Sequence, residues 1–104
     1  MSKIILSDRF AQIISDIGVK SVFTLTGGHI VPLLDSCHKQ KIEIVDVRHE
    51  QNAIFAAEGY SRISGKLGVA LVTEGPGFMN SINSIATAHF SNVPLLVVSG
   101  RHYR

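Results

Sequence analysis

The sequence is poor in cysteine, with a single residue, and it has no long apolar segment. The one cysteine, Cys37, excludes an internal disulfide framework and a zinc site built from several cysteines. No apolar stretch reaches the roughly 20 residues that a membrane span needs. The N-terminus also lacks the basic segment and following apolar run of a signal peptide. These absences predict a soluble, cytoplasmic protein with no membrane partner.

An excess of charge of one sign is lacking as well. Ten Lys and Arg residues against eight Asp and Glu residues give a formal net charge of +2, so charge offers no argument for a nucleic-acid partner. Apolar residues nevertheless make up 45% of the 104 residues, which is enough to build a folded core. A chain of this length forms at most one domain, so residues 1–104 are predicted to be a single domain.

Short apolar runs and helical spacing alternate along the whole chain. Four runs rich in apolar and β-branched residues predict strands, near residues 21–25, 42–47, 68–73 and 94–99. Apolar or small residues at helical spacing predict a helix before each strand, the third over residues 50–64 and the fourth from Phe78 to Ala86. This order predicts an α/β fold, an open parallel sheet of about four strands with helices on both faces.

The ends of the first and third helices have residues that are typical of helix termini. Ser7 is the predicted N-cap of the first helix, and Gly18 is the predicted residue at which it ends. Gly65 is predicted to end the third helix in the same way. Cys37 falls on the apolar face of the second helix and is interpreted as a small core residue.

Glycines and polar residues concentrate where the predicted strands end. In an open parallel sheet, ligands bind outside the carboxyl ends of the strands. Turn geometry and helix capping are sufficient to explain any one of these turns, whereas three such turns together favour a ligand site. The segments that follow the four strands are Thr26–His29, Arg48–Glu50, Glu74–Gly77 with Asn80, and Gly100–His102.

Glu50 is the sharpest candidate among these residues, because it stands where a strand is predicted to give way to a helix. An acidic residue here is favoured by the helix dipole alone. Alternatively, it is a functional carboxylate held at the edge of a dry cleft. The spacing of residues does not decide between these two interpretations.

Four motifs, in this order along the chain, resemble the N-terminal pyrimidine-binding module of thiamine-diphosphate enzymes. The resemblance is closest to acetolactate synthase and its relatives, which include decarboxylases and carboligases of 2-oxo acids and the 2-hydroxyacyl-CoA lyases. It extends from about Leu6 to Gly100. The motifs are Arg48-His49-Glu50-Gln51, Ala57-Glu58-Gly59-Tyr60-Ser61-Arg62, Ser64-Gly65-Lys66-Leu67-Gly68-Val69, and Thr73-Glu74-Gly75-Pro76-Gly77 with Asn80.

This resemblance implies that Glu50 is catalytic. It corresponds to the glutamate that hydrogen-bonds a ring nitrogen of the cofactor's pyrimidine, which favours the imino tautomer that takes the proton from the thiazolium carbon. A glutamate suits this role because a proton must be shared between carboxyl group and ring. The resemblance also implies that two turns line the pyrimidine of thiamine diphosphate: Gly27 and Gly28 in the first, and Thr73, Gly75, Pro76 and Asn80 in the second.

Three positions depart from the pattern of the family. Proline often stands where this chain has Thr26, serine or alanine where it has Glu74, and aspartate where it has Ser91. Glu74 adds a charge beside the expected ring pocket, and the identity of the substrate therefore stays undecided. None of the three changes touches Glu50.

The family's modules continue beyond the fourth strand and are followed by a middle domain and a diphosphate-binding domain. The Gly-Asp-Gly and downstream Asn that hold Mg²⁺ and diphosphate do not occur in these 104 residues. The chain is therefore expected to be an incomplete pyrimidine-binding domain that supplies no metal ligand. Mg²⁺ would come only through a missing or partner diphosphate-binding domain, or through a second subunit in a homo- or hetero-oligomer.

Two interpretations of function stay open at this point. The chain is either a fragment or subunit of an acetolactate-synthase-type enzyme, inactive by itself, or a non-catalytic α/β module for assembly or binding. Possession of Glu50 favours an active ancestor, whereas the lack of a diphosphate-binding domain favours present inactivity. A nucleotide-binding domain is disfavoured, because the segment from Gly59 to Lys66 has one residue too many for a phosphate loop.

An uncovered sheet edge and a helix face of small residues predict association with other chains. A module that ends after its fourth strand leaves that strand unpaired on one side. Ala53, Ala56 and Ala57 would give their helix a flat face suited to another helix. The isolated chain is therefore expected to self-associate or to be poorly soluble.

Overall fold

The structure, a computed structural model, describes residues 5–100. The predicted strands are all present, each within one residue of its expected ends. In chain order the elements are α1 (Leu6–Asp16), β1 (Ser21–Leu25), a single 3₁₀ turn (Gly28–Ile30), α2 (Val31–Lys39), β2 (Glu43–Asp46), α3 (Glu50–Ser64), β3 (Gly68–Val72), α4 (Pro76–Met79), α5 (Ile82–Phe90) and β4 (Leu95–Ser99).

The four strands form one sheet in the order β2-β1-β3-β4, and every neighbouring pair is parallel. This confirms the predicted open parallel sheet. From β1 the chain crosses to β2 on one side, and from β3 it crosses to β4 on the other. The carboxyl ends of β1 and β3 therefore flank the crevice at which the strand order changes direction, the place where ligands bind in open α/β sheets.

Helices cover both faces of the sheet, as predicted. On one face α1 and α2 pack over a core that includes Ile14, Leu34 and Cys37. On the other face α3 packs with Ala53, Ile54 and Ala57 against Phe23 and Ala70 of the sheet, and Ile85 of α5 adjoins this second cluster. Cys37 is fully buried, and burial raises the pKa of its thiol to about 11, so it is the core residue that its spacing indicated.

A glycine allows the backbone of α3 to pack directly against the start of β3. A Cβ atom at Gly68 would overlap the carbonyl oxygen of Ala57 and come within 2.9 Å of its carbonyl carbon. Only glycine lets the helix backbone rest on the start of β3 at this separation. This packing helps to set where the N-terminus of α3, and therefore Glu50, lies.

The helix termini confirm two predictions and correct a third. Gly18 and Gly65 both have positive φ and follow the ends of α1 and α3. The prediction that Ser7 caps α1 is wrong, because the N-cap lies two residues earlier. Ile5 occupies the N-cap position in an extended conformation, and its carbonyl accepts from the Arg9 N–H at 3.1 Å.

The helix expected from Phe78 to Ala86 is in fact two helices, α4 and α5. At the break, the buried Ser81 hydroxyl donates to the Gly77 carbonyl at 2.8 Å, and the Ser84 hydroxyl donates to the Ser81 carbonyl at 3.0 Å. Serine hydroxyls compete in this way with the regular helical hydrogen bonds. Among residues 5–100, no helix is both long and apolar enough to cross a membrane.

Candidate functional site

Glu50 lies at the N-terminus of α3, at the carboxyl edge of the sheet. The preceding residue, His49, is the N-cap: its backbone is extended and its Nδ1 accepts from the Gln51 N–H at 3.0 Å. Glu50 itself is only 7% exposed. Its Oε1 accepts a hydrogen bond from Asn80 Nδ2 at 3.2 Å, so two predicted site residues are in direct contact. Within the described residues, no hydrogen bond engages Oε2 of Glu50.

The turn after β3 approaches this carboxylate through a glycine that the sequence-based site did not include. A Cβ atom at Gly77 would lie 3.3 Å from Glu50 Oε2 and 2.8 Å from Thr73 Cγ2. Gly75 makes the turn possible with a φ of +61°, and Pro76 occupies the first turn of α4. The Gly-Pro-Gly sequence was the available signal for Gly77, but close approach of backbone to Glu50 is a tertiary property.

The turn after β1 packs on the same threonine. A Cβ atom at Gly27 would lie 2.5 Å from Thr73 Oγ1. The φ of Gly27 is −144°, so glycine is needed here for space and not for an unusual backbone conformation. Gly28 differs, because a Cβ atom there would meet nothing within 4 Å. It begins the 3₁₀ turn beside open space.

These contacts define a cluster of residues that we call the carboxylate cradle. It brings together five residues from three segments that follow β1, β2 and β3. Gly28, Gly75 and Pro76 belong to the same two turns, next to Gly27 and Gly77 in the chain. The members of the cradle are Gly27, Glu50, Thr73, Gly77 and Asn80.

Hydrogen bonds across the sheet hold the backbone beneath the cradle. Thr24 Oγ1 donates to the Leu71 carbonyl at 2.6 Å and is fully buried. Ser99 Oγ donates to the Thr73 carbonyl at 3.2 Å. These bonds tie the ends of β1, β3 and β4 together, so the turns that carry the cradle start from a fixed base.

A second polar pair lies at the same edge and was not assigned a role from the sequence. His29 Nδ1 and Glu74 Oε1 are 3.6 Å apart. Both residues had been noted as following β1 and β3, but nothing in their spacing indicated that they meet. Gly100 packs beneath His29, whereas Arg101 and His102, which belong to the predicted turn after β4, lie outside the described residues.

The cradle is suited to an organic ring with hydrogen-bonding nitrogen atoms. It offers one buried carboxylate, one side-chain amide and backbone at two glycine turns, which can donate, accept and approach a planar group closely. In residues 5–100 there is no group of three or more His, Cys, Asp or Glu side chains that could hold a metal ion.

Residues 5–104 match the family described as "Thiamine pyrophosphate enzyme, N-terminal TPP binding domain". The chain belongs to this family, which confirms the resemblance seen in its motifs. Its α/β fold is that of a thiamine-diphosphate-binding N-terminal domain.

Individual relatives are similar over most of this chain. It is 49% identical over 90 residues to 2-hydroxyacyl-CoA lyase 2 from Danio rerio and 44% identical over 93 residues to the Homo sapiens protein of that name. It is also 44% identical over 91 residues to the acetolactate synthase large subunit of Lactococcus lactis. These alignments cover 86%, 89% and 86% of this chain but only 14%, 15% and 16% of the relatives.

Proposed function

We propose that this chain supplies the pyrimidine half of a thiamine diphosphate site in an acetolactate-synthase-type enzyme, a decarboxylase or carboligase of 2-oxo acids. Glu50 is the catalytic carboxylate in this proposal. The observation that carries it is the buried Glu50 carboxylate, which meets Asn80 and the turn after β3, in a domain whose family binds thiamine pyrophosphate.

The residues present fit such a cofactor. Gly27 and Gly77 keep the cradle free of Cβ atoms where a side chain would collide with Thr73 or approach Glu50. Open space at Gly28 and the positive φ of Gly75 leave backbone accessible on either side. The residues that would hold the pyrimidine are Gly27, Gly28, Glu50, Thr73, Gly75, Pro76 and Asn80.

Thiamine diphosphate, when bound, supplies an acidic carbon and an electron sink for breaking or forming the bond beside a carbonyl group. Glu50 holds and exchanges a proton at Oε2, while the hydrogen bond from Asn80 fixes Oε1. Burial of the carboxylate excludes water and strengthens each hydrogen bond that it makes. The position of Glu50 at the N-terminus of a 15-residue helix adds a favourable dipole.

The diphosphate and Mg²⁺ are bound, in this proposal, by a diphosphate-binding domain or by a second subunit. The relatives are about six to seven times as long as the segment they share with this chain, so they have room for such a domain. Apolar side chains on this chain are exposed for contact with a partner, among them Ile63, at 91%, and Phe90, at 83%. We therefore propose that residues 1–104 act as one incomplete domain of an oligomeric enzyme.

A hybrid enzyme tests the role of Glu50. Residues 5–104 replace the matched segment of 2-hydroxyacyl-CoA lyase 2 from Danio rerio, which provides the rest of a lyase; we call this protein the lyase hybrid. Proton exchange at the thiazolium carbon of bound thiamine diphosphate is followed by NMR in deuterated water. Glu50→Gln should slow the exchange by about 10²–10⁴-fold, because an amide cannot share a proton with the ring.

The matched control for this test is Glu43→Gln. Glu43 is also a glutamate, but it accepts from Ser21 Oγ at 3.1 Å at the start of β1 and β2, the opposite edge of the sheet. The Glu43→Gln substitution should leave the rate of proton exchange within about twofold of that in the unchanged hybrid. Exchange at the unchanged rate in the Glu50→Gln hybrid would show that Glu50 is not the catalytic carboxylate.

The alternative function, a non-catalytic assembly module, makes the opposite prediction for the same experiment. A module retained only for its fold would not need the Asn80–Glu50 contact or the absence of a Cβ atom beside Glu50 Oε2. In that case the hybrid would bind the cofactor through the diphosphate end alone, and its exchange would be slow with either residue at position 50.

A further inference from the structure

The two edge strands of the sheet differ in how they are protected against pairing with another strand. β2 has four residues, and the charged residues at its two ends, Glu43 and Asp46, are exposed. Short strands and charged side chains are common devices that keep a sheet edge from pairing. β4 has five residues, Leu95–Ser99, all half-buried and none charged. The β4 edge therefore lacks the protection that the β2 edge has.

The backbone hydrogen bonds at the ends of β4 show which of its polar groups face outward. The Pro94 carbonyl accepts from the Gly68 N–H at 3.1 Å. The Gly100 N–H donates to the Val72 carbonyl at 3.4 Å. Both bonds point toward β3, and the backbone groups of successive residues point to alternate sides of a strand. The residues of β4 whose backbone groups point away from β3 are therefore Leu95, Val97 and Ser99.

Both faces of β4 offer apolar surface to a strand that is added at this edge. On one face, Leu95 and Val97 line a groove of about 280 Å³ beside α5. On the other face, Leu96 and Val98 adjoin the core that α1 and α2 cover. A strand that matches this edge must therefore be apolar on both of its own faces. The groove is lined by Ile85, Ala88, His89, Val93, Leu95 and Val97.

Among the described residues, one strand of this chain meets that requirement and is open on one side. β1 and β3 each lie between two other strands, and β2 has a charged residue at each end. β4 is apolar on both faces, so a second β4 is complementary to the first in polarity and in charge. A two-fold axis perpendicular to the strands makes such a pair antiparallel and uses the same surface on both copies. This arrangement closes the assembly at two chains.

We propose that two copies of this chain pair edge to edge through β4, in antiparallel orientation, and form one sheet with four strands from each copy. Val97 is the middle one of the three outward-facing residues. With the axis there, its N–H and carbonyl exchange hydrogen bonds with those of Val97 in the second copy. Phe90, which is 83% exposed and contacts the His89 ring edge to face, adds an aromatic side chain beside the groove. The inference is independent of the proposed function, because none of these residues belongs to the carboxylate cradle.

Amide hydrogen exchange of the full, ¹⁵N-labelled chain, followed by NMR at low and high chain concentration, tests the pairing directly. The Val97 amide proton should exchange on the order of 10-fold more slowly at high concentration, because it becomes hydrogen-bonded between copies. The Ile44 amide is the matched control. It faces outward on β2, because the N–H groups of Glu43 and Val47 donate to β1, and its exchange should not depend on concentration. Sedimentation equilibrium over the same range should show a dimer.

Proline substitutions at the two edges give a second test. Val97→Pro removes an N–H that faces outward and leaves the bonds to β3 in place, so it should weaken dimerisation by about 10-fold or more. Ile44→Pro makes the same change at the β2 edge and should leave the dimer affinity within about twofold. Ile63→Ser removes an apolar side chain of α3 that is 91% exposed; it controls for general apolar association and should also have no effect. Urea denaturation verifies that each variant is folded.

Several results would overturn the proposal. The chain would then stay monomeric at every concentration, or it would form a dimer in which the Val97 amide exchanges as fast as in the monomer. Equal weakening by Ile63→Ser and Val97→Pro would show that association uses another surface. Protection of Val97 in a monomer would assign the β4 edge to the chain's own terminal residues and not to a second copy. Where a proline variant fails to fold, amide exchange in the unchanged chain decides.

Discussion

On one face of the sheet, α1 and α2 cover large aliphatic side chains of the strands, such as Val22, Val69 and Leu71. On the other face, α3 packs against the small side chain of Ala70 and rests on Gly68. The first face contains several large aliphatic side chains of the strands, and a glycine on the second allows close approach of the helix backbone. Apolar burial stabilises in rough proportion to area, so truncating a large side chain should cost more than truncating a small one.

The candidate site lies at the end of the closely packed face. α3 begins at Glu50, and its contact with β3 through Ala57 and Gly68 holds the helix near the sheet. A helix kept farther away by larger side chains would draw Glu50 away from Asn80. The comparison indicates that both faces form core, and that the α3 face in addition sets where Glu50 lies.

The largest expected effect falls on the α1–α2 face. Leu71→Ala removes a fully buried side chain from that core and should lower the free energy of unfolding by about 2–5 kcal/mol. Urea denaturation of the full chain measures this loss. Ala70→Gly, at the next position but on the other face, is the control and should cost only about 0.5–1 kcal/mol. Equal losses at the two positions would contradict the division between the faces.

A smaller loss of stability is expected where α3 touches the sheet. Gly68→Ala places a methyl group against the Ala57 carbonyl, and relief of this overlap should cost about 1–3 kcal/mol. Because the helix must move, proton exchange in the lyase hybrid should slow as well. Denaturation and exchange are measured on the same variant. A loss of stability with unchanged exchange would show that Glu50 does not depend on this contact.

A pH-dependent effect of about 2–3 kcal/mol is expected on the α1–α2 face. Burial raises the pKa of the Cys37 thiol from 9.0 to about 11, so the folded chain favours the neutral thiol. Its contribution is complete below the unfolded pKa and is lost as pH rises from about 9 to about 11. The free energy of unfolding, measured by urea denaturation, should fall more steeply over this pH range for the unchanged chain than for Cys37→Ala. Parallel curves would show that the thiol does not titrate in this way.

The smallest effect is expected on the outer side of α3. A Cβ atom at Gly59 would meet nothing within 4 Å, and alanine is the better helix former by about 0.5–1 kcal/mol. Gly59→Ala should therefore stabilise the chain by that amount, the reverse of Gly68→Ala. A melting temperature below that of the unchanged chain would show that a methyl group at position 59 does collide with neighbouring atoms.

Local patterns were sufficient for much of the fold. The four strands could be located because each is a short apolar run between turn residues. The end of α3 could be predicted because Gly65 follows it, and glycine readily adopts the positive φ that the structure has there. The two errors arose where competing local interactions matter. The N-terminus of α1 needed only a backbone acceptor at Ile5, and the hydroxyls of Ser81 and Ser84 helped to divide one expected helix into two.

The residues of the candidate site were visible as motifs, but their contacts were not. Glu50 and Asn80 are 30 positions apart, and only the tertiary fold brings the amide at the end of α4 to 3.2 Å from the carboxylate. Gly77 was passed over because its importance depends on Glu50 and Thr73. The His29–Glu74 pair was missed for the same reason.

The amino-acid sequence by itself determined the order of helices and strands, the parallel character of the sheet and the family to which the chain belongs. These properties follow from periodicity, glycine positions and short motifs, which are local along the chain. Only the tertiary structure decided the strand order β2-β1-β3-β4 and hence the position of the crevice between β1 and β3. Strand order and the distances from Glu50 to Asn80 and from His29 to Glu74 depend on contacts between segments far apart in sequence, and no local pattern encodes those contacts.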